Sequence, residues 1–269
     1  EYNEVLNQCA NFAITQLGKD AIQKLQPSVD TEQIEKQLKS VSEFKSSFDN
    51  ENRIPNHGFE SLLDIFPLLK IENSVLTITS FRNMATNTET TNKLIKFLIK
   101  FQAYYPTLYE FSNDITNEND IIPAIDRVID RFGEIRDKAS DNLFSIRKKL
   151  QQLRGKISSS FNKSLSQYNG ADYLDDIKES IVNNRRVLAV KAMYRRKVKG
   201  TIMGSSKTGS IVFIEPETTY LQNQELQNLL FEETEEIKKI LSELTDFFRP
   251  YLPYFCLLYT SDAADEGHC

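Results

Sequence analysis

Cysteine and histidine are scarce, with three Cys and two His among 269 residues. A zinc site built from the usual ligands is thereby nearly excluded. No apolar run approaches the roughly 18 residues that a membrane helix requires. The longest are broken by Lys, Asn or Pro, as over residues 94–101. Catalytic signatures are missing too: there is no G-x-S-x-G, no H-E-x-x-H and no C-x-x-C. Gly204 and Gly209 have the glycine spacing of a phosphate loop, but Ser210-Ile211 follow where Lys-Ser/Thr is required, and Lys207 lies inside the stretch. Residues 204–209 therefore read as a hairpin turn. These residues are expected to be inactive as an enzyme on their own, with no cofactor and no metal. What is present is an ordinary globular composition, 40% hydrophobic and 26% charged.

The ends read as incomplete. The chain opens on Glu1 with no Met and no leader, so a missing front and a cytoplasmic location are expected. Cys256–Glu266 matches the translation of a transposase sequencing adapter, so residues 256–269 are expected to be non-native. Setting them aside removes Cys256, Cys269 and His268. Cys9 then falls on an apolar helix stripe and reads as a packed thiol. His57 reads as a solvated loop residue.

Periodicity is helical over most of the chain. Residues 3–25 read as one helix ended by Pro27, and Asp30-Thr31-Glu32-Gln33 as a capping box for the next. Further helices are predicted near 59–70, 79–103, 105–112 and 120–132. Ser140 is placed to cap a long helix to Tyr168, with Leu143, Ile146, Leu150, Leu153, Ile157, Phe161 and Leu165 at coiled-coil intervals. A second long helix spans 220–248, and the two are predicted to pair antiparallel. Between them the period drops to two, giving strands at 186–191, 197–203 and 210–215. The fold class is mainly α: a helical body, a long antiparallel helical arm and a small β-rich tip.

The net charge of −5 conceals a polarised molecule. Residues 136–207 hold 17 Lys and Arg against 6 Asp and Glu, whereas the rest hold 16 against 32. The candidate binding residues are Arg185, Arg186, Lys191, Arg195, Arg196, Lys197, Lys199 and Lys207, all on the tip. Cations grouped this way suit a polyanion, because each phosphate they neutralise releases counterions. Tyr194 is a candidate for base stacking, with packing the favoured role. A tip that docks an acidic protein is the alternative. Asp175-Asp176 read as neutralising neighbouring cations, and Glu232-Glu233 with Glu235-Glu236 as a solvated helix face rather than a cation site.

Five blocks extend this reading. They are Tyr2–Leu6 with Thr15–Lys19 and Leu25–Pro27; Gly133–Ser140; Arg185–Lys191; Val198–Gly200; and Thr208–Pro216, closed by Arg249-Pro250. In order and spacing they resemble the second branch of the MutS family, which usually carries an Smr endonuclease domain. The resemblance covers residues 1–255. It implies a helical lever (core) domain at 1–139, an outgoing arm helix and clamp tip at 140–219, and a returning helix at 220–255. It further implies a homodimeric clamp that uses ATP and Mg at full length, with branched or duplex DNA, or ribosomal RNA of stalled ribosomes, as the partner. Suppression of recombination and ribosome rescue are the associated roles, and no membrane is involved. The mismatch-recognition domains of other MutS proteins are absent from this branch, and the ATPase domain is expected beyond Pro250. No catalytic residue carries over.

Overall fold

The computed structural model describes residues 1–13, 15–49, 51–55, 58–113 and 115–259. In chain order the elements are α1 (Tyr2–Ala10), α2 (Gln16–Lys24), α3 (Thr31–Ser46), α4 (Ile65–Lys70), α5 (Ile78–Lys100), α6 (Pro106–Phe111), α7 (Ile121–Val128) and α8 (Asp141–Gly170). Then come β1 (Leu174–Val182), β2 (Arg185–Lys191), β3 (Gly200–Ser205), β4 (Ile211–Pro216), α9 (Glu217–Phe248) and α10 (Leu252–Tyr259). The fold is mainly α with one small antiparallel sheet. Two units emerge: residues 1–136 with those from Lys239 onward, and residues 137–238.

In the first unit, caps decide where helices begin. Residues 3–25 are two helices, not the single one predicted. Thr15 adopts an extended backbone and its Oγ1 accepts the Gly18 N–H, which starts α2 afresh. The capping box is half formed. Asp30 Oδ1 accepts from the Glu32 and Gln33 N–H groups, but Gln33 pairs with Ser28 Oγ instead of reaching back. Cys9 is exposed rather than packed, because the short α1 buries only Leu6 and Ala10. His57 lies outside the described residues, as do 260–269 of the suspected tail. Cys256, by contrast, sits buried within α10.

The core of this unit gathers Leu62, Phe66, Phe81, Met84, Tyr105, Ile121, Ile125, Phe248 and Phe255. Polar side chains stitch distant segments to it. Glu43 on α3 accepts the Thr107 and Leu108 N–H groups at 3.0 Å each, which caps α6 with a carboxylate. Arg249, just past α9, donates to the Leu68, Leu69 and Ser74 carbonyls and ties down the chain leaving α4.

The second unit is an arm and a sheet. α8, about 45 Å long at 1.5 Å per residue, starts where Ser140 Oγ accepts the Leu143 N–H. Ile146, Leu150 and Leu153 of α8 pack against Leu229 of α9, flanked by Ile157, Leu226 and Leu230. Polar pairs zip the seam, with Ser140 and Asn142 donating to Glu236 and Arg147 to Glu233. Burial works against the charge on Arg147, but hydrogen bonds from Glu233 and Asp137 outweigh it and raise its pKa. The acids of α9 are therefore not merely a solvated face: Glu233 and Glu236 hold the arm closed, and Glu235 pairs with Lys238.

The sheet has the order β1-β2-β4-β3, with every neighbouring pair antiparallel. Its core joins Phe161 of α8 to Leu174, Leu188, Val190, Val198, Val212 and Ile214. β1 was not among the predicted strands. A bulge between Leu174 and Glu179 breaks its alternation, with Lys178 at φ +33°. A two-residue turn joins β1 to β2, Asn183 and Asn184 both having positive φ, as a type I′ turn requires. Among the described residues no helix is long and apolar enough to cross a membrane.

Candidate nucleic-acid interface

The cations of the tip owe their positions to hydrophobic neighbours. β2 and β3 are both antiparallel to β4, so residues 192–199 must cross from one end of the sheet to the other. At the start of this crossover the Ala192 N–H donates to the Ser210 carbonyl, and at its end the Lys199 carbonyl accepts from Glu217. In between, Val198 is buried in the sheet core. With Val198 inside, its neighbours Arg195, Arg196, Lys197 and Lys199 are left outside, all exposed. Tyr194 stacks on Tyr173 at 4.8 Å, and Tyr173 on Tyr168 at 6.4 Å. The Tyr168 hydroxyl accepts the Lys199 N–H, and the Lys197 ammonium lies over both the Tyr173 and Tyr194 rings. Tyr194 thus has the packing role that was favoured for it.

The eight candidates divide into two sets. Arg195, Arg196, Lys197, Lys199 and Lys207 are exposed and make no ion pair among the described residues. The other three are committed to acids. Arg185 donates to Glu215 at 2.9 Å, and Glu215 is fully buried, with its second oxygen accepting from Asn223 at 2.6 Å. Arg186 lies 4.2 Å over the Phe161 ring and bonds Glu179 and Asn162. Lys191 pairs with Asp172, whose hydrogen bond raises the pKa of the ammonium. Direct pairing therefore comes from Asp172, Glu179 and Glu215; Asp175 and Asp176 make no ion pair among the described residues, although the Asp176 charge also favours the Lys191 ammonium.

Arg185 is the anchor whose loss matters most for folding. Arg185→Ala leaves the Glu215 carboxylate buried with Asn223 as its remaining partner, a situation that costs about 3 kcal/mol. Urea unfolding should show that loss, and the additional change Glu215→Gln should recover part of it. An unchanged urea midpoint would mean that the pair is not structural.

The candidates form a strip rather than one patch. β2 alone spans about 20 Å at 3.3 Å per residue, with Arg185 at one end and Lys191 at the other. Lys207 sits in the β3–β4 hairpin at the Lys191 end, since Ile211 pairs with Lys191. Residues 204–209 do form a hairpin, with Gly209 at φ +70° and the Ser206 N–H donating to the Ile211 carbonyl. No strand-to-helix phosphate loop exists at this point, so these residues do not fit ATP. Among the described residues no three His, Cys, Asp or Glu side chains gather as a metal site.

Two features of this strip escaped the sequence reading. One is the buried Glu215, whose partners lie 30 and 8 residues away. The other is the Asn183-Asn184 turn, whose signal is two adjacent Asn residues, a residue type that tolerates positive φ.

No family model matches the chain. Three curated proteins illustrate its similarities. The Endonuclease MutS2 of Halothermothrix orenii is 27% identical over 254 residues, which is 91% of this chain and 32% of that protein. The Putative endonuclease MutS2 of Bacillus subtilis is 28% identical over 251 residues, again 91% and 32%. The Endonuclease MutS2 of Clostridioides difficile is 29% identical over 257 residues, 91% and 31%. The chain spans a little under a third of the length of these relatives. The chain is thus similar to MutS2 proteins over 91% of its own length.

Proposed function

We propose that residues 140–219 form a clamp that grips nucleic acid, within a larger MutS2-type protein whose ATP-driven closure it serves. The observation that carries this reading is the crossover, where the buried Val198 forces Arg195, Arg196, Lys197 and Lys199 outward with no ion-paired acid among the described residues. The relatives carry the name endonuclease, which agrees with DNA as the partner. Branched or duplex DNA is the first choice, and ribosomal RNA of a stalled ribosome, another phosphate polymer, is the second. ATP and Mg take no part in the grip itself. In the full-length protein, homodimerisation would place two such clamps around one nucleic acid, a geometry suited to suppressing recombination.

Phosphate contacts position a protein without reading sequence. Binding should therefore be indifferent to sequence and steep in salt. With about five exposed cations engaged, log K should fall against log salt with a slope of roughly −4.5 on duplex DNA. Titrating the chain against four-way junction DNA and against purified ribosomes at several salt concentrations measures this and ranks the two partners. Capture of an acidic protein that survives nuclease treatment, with no retention on either nucleic acid, would replace this reading with the docking one.

A further inference from the structure

A cleft of about 210 Å³ opens between α8, α9 and the β1–β2 hairpin. Three arginines line it, Arg154, Arg185 and Arg186, beside Asn184, Asn223 and Phe161, and the Arg186 guanidinium lies over the Phe161 ring. No Asp or Glu is among its described lining residues. Arg154 lies outside the candidate set read from the sequence. It is exposed, and it makes no ion pair among the described residues.

The other two guanidinium groups are already oriented. Arg185 commits Nη1 to Glu215, and Arg186 commits Nε and Nη2 to Glu179, with Nη2 also donating to Asn162. A guanidinium has five N–H donors, so both keep donors for a ligand. Held heads lose less rotamer freedom when a ligand arrives, which favours binding. A carboxylate is satisfied by a single fork. One uncommitted guanidinium, on Arg154, together with the spare donors of two held ones suits a group with several acceptor oxygens, and that group is phosphate.

We infer that this cleft is a phosphate seat, distinct from the exposed cations of the crossover. The inference does not depend on the grip proposed above. The phosphate can come from a nucleic-acid backbone or from a small phosphorylated molecule, since both present the same oxyanion.

The test uses the whole chain, with inorganic phosphate as the probe and acetate at equal ionic strength as the control. Phosphate should raise Tm where acetate does not, and calorimetry should give a saturable isotherm. Arg154→Gln, which disturbs no partner, should weaken phosphate binding about tenfold by removing one charge-assisted contact. The triple variant Arg195→Glu, Arg196→Glu, Lys197→Glu should leave phosphate affinity unchanged. If Arg154→Gln also weakens junction DNA binding, the seat holds a backbone phosphate. If DNA binding is unmoved while phosphate binding falls, it holds a small ligand. Phosphate acting no better than acetate, or binding that is insensitive to Arg154→Gln or is lost in the triple variant, overturns the inference and leaves the crossover reading to its own test.

Discussion

Gly200→Ala is expected to abolish the native sheet. Gly200 opens β3 opposite Pro216. A methyl group there would fall well inside van der Waals contact distance of the Glu215 carbonyl oxygen and 2.8 Å from Ile214 Cγ2. Neither neighbour can yield cheaply. The carbonyl belongs to β4, and Ile214 is buried in the sheet core beside Leu188 and Val198. Moving either shifts the strand that joins β2 to β3 and displaces the buried Glu215. The cost should reach about 3 kcal/mol or more, the upper range for overpacking. Gly204→Ala is the matched control, since an added methyl group there meets nothing within 4 Å. It should stay within about 0.5 kcal/mol of the parent. Urea midpoints, with hydrogen exchange to localise the loss to residues 174–216, decide the matter. Equal midpoints for the two variants would show that β4 adapts, and that the close approach at Gly200 is not a constraint.

The second large effect is on binding. Reversing Arg195, Arg196 and Lys197 to Glu changes three exposed charges and leaves the buried Val198 in place. Three lost phosphate contacts should reduce the salt slope by roughly 3. The reversed charges also repel the backbone, so affinity for junction DNA should fall on the order of 100-fold near 0.1 M salt. Stability should hardly move, because Lys197 lies over the tyrosine rings at 5.6 and 5.7 Å without burying its charge. A variant that unfolds at the parent's urea midpoint and has lost DNA binding separates function from folding. A variant that binds DNA with the parent's affinity and slope would remove the crossover from the interface.

The parts of this molecule legible in its sequence are those governed by near neighbours. The α8 seam follows from apolar residues three and four apart, and its start from Ser140, because a cap acts within one turn. The β3–β4 hairpin follows from glycines and a short polar loop. Thr15 was equally local, yet the apolar period running through it concealed the cap that splits α1 from α2. β1 was hidden by its bulge, which puts Ile177 and Ile181 out of step with a simple alternation. The candidate cations were recognisable by type, but not by what each faces. Arg185 and Arg195 look alike in a charge count, and only the fold brings Glu215 to one and leaves the other exposed.

The stacked rings of Tyr168, Tyr173 and Tyr194 have an optical consequence. The chain contains 11 Tyr and no Trp, so no indole masks its tyrosine absorption. Rings fixed against one another give near-ultraviolet circular dichroism, and that signal vanishes when side-chain packing is lost even if helices persist. This trio joins the end of α8 to the crossover that displays the cations. The molecule therefore carries built-in chromophores at the root of its charged loop, and the part of the signal lost in Tyr194→Phe reports the order of that loop without an attached label.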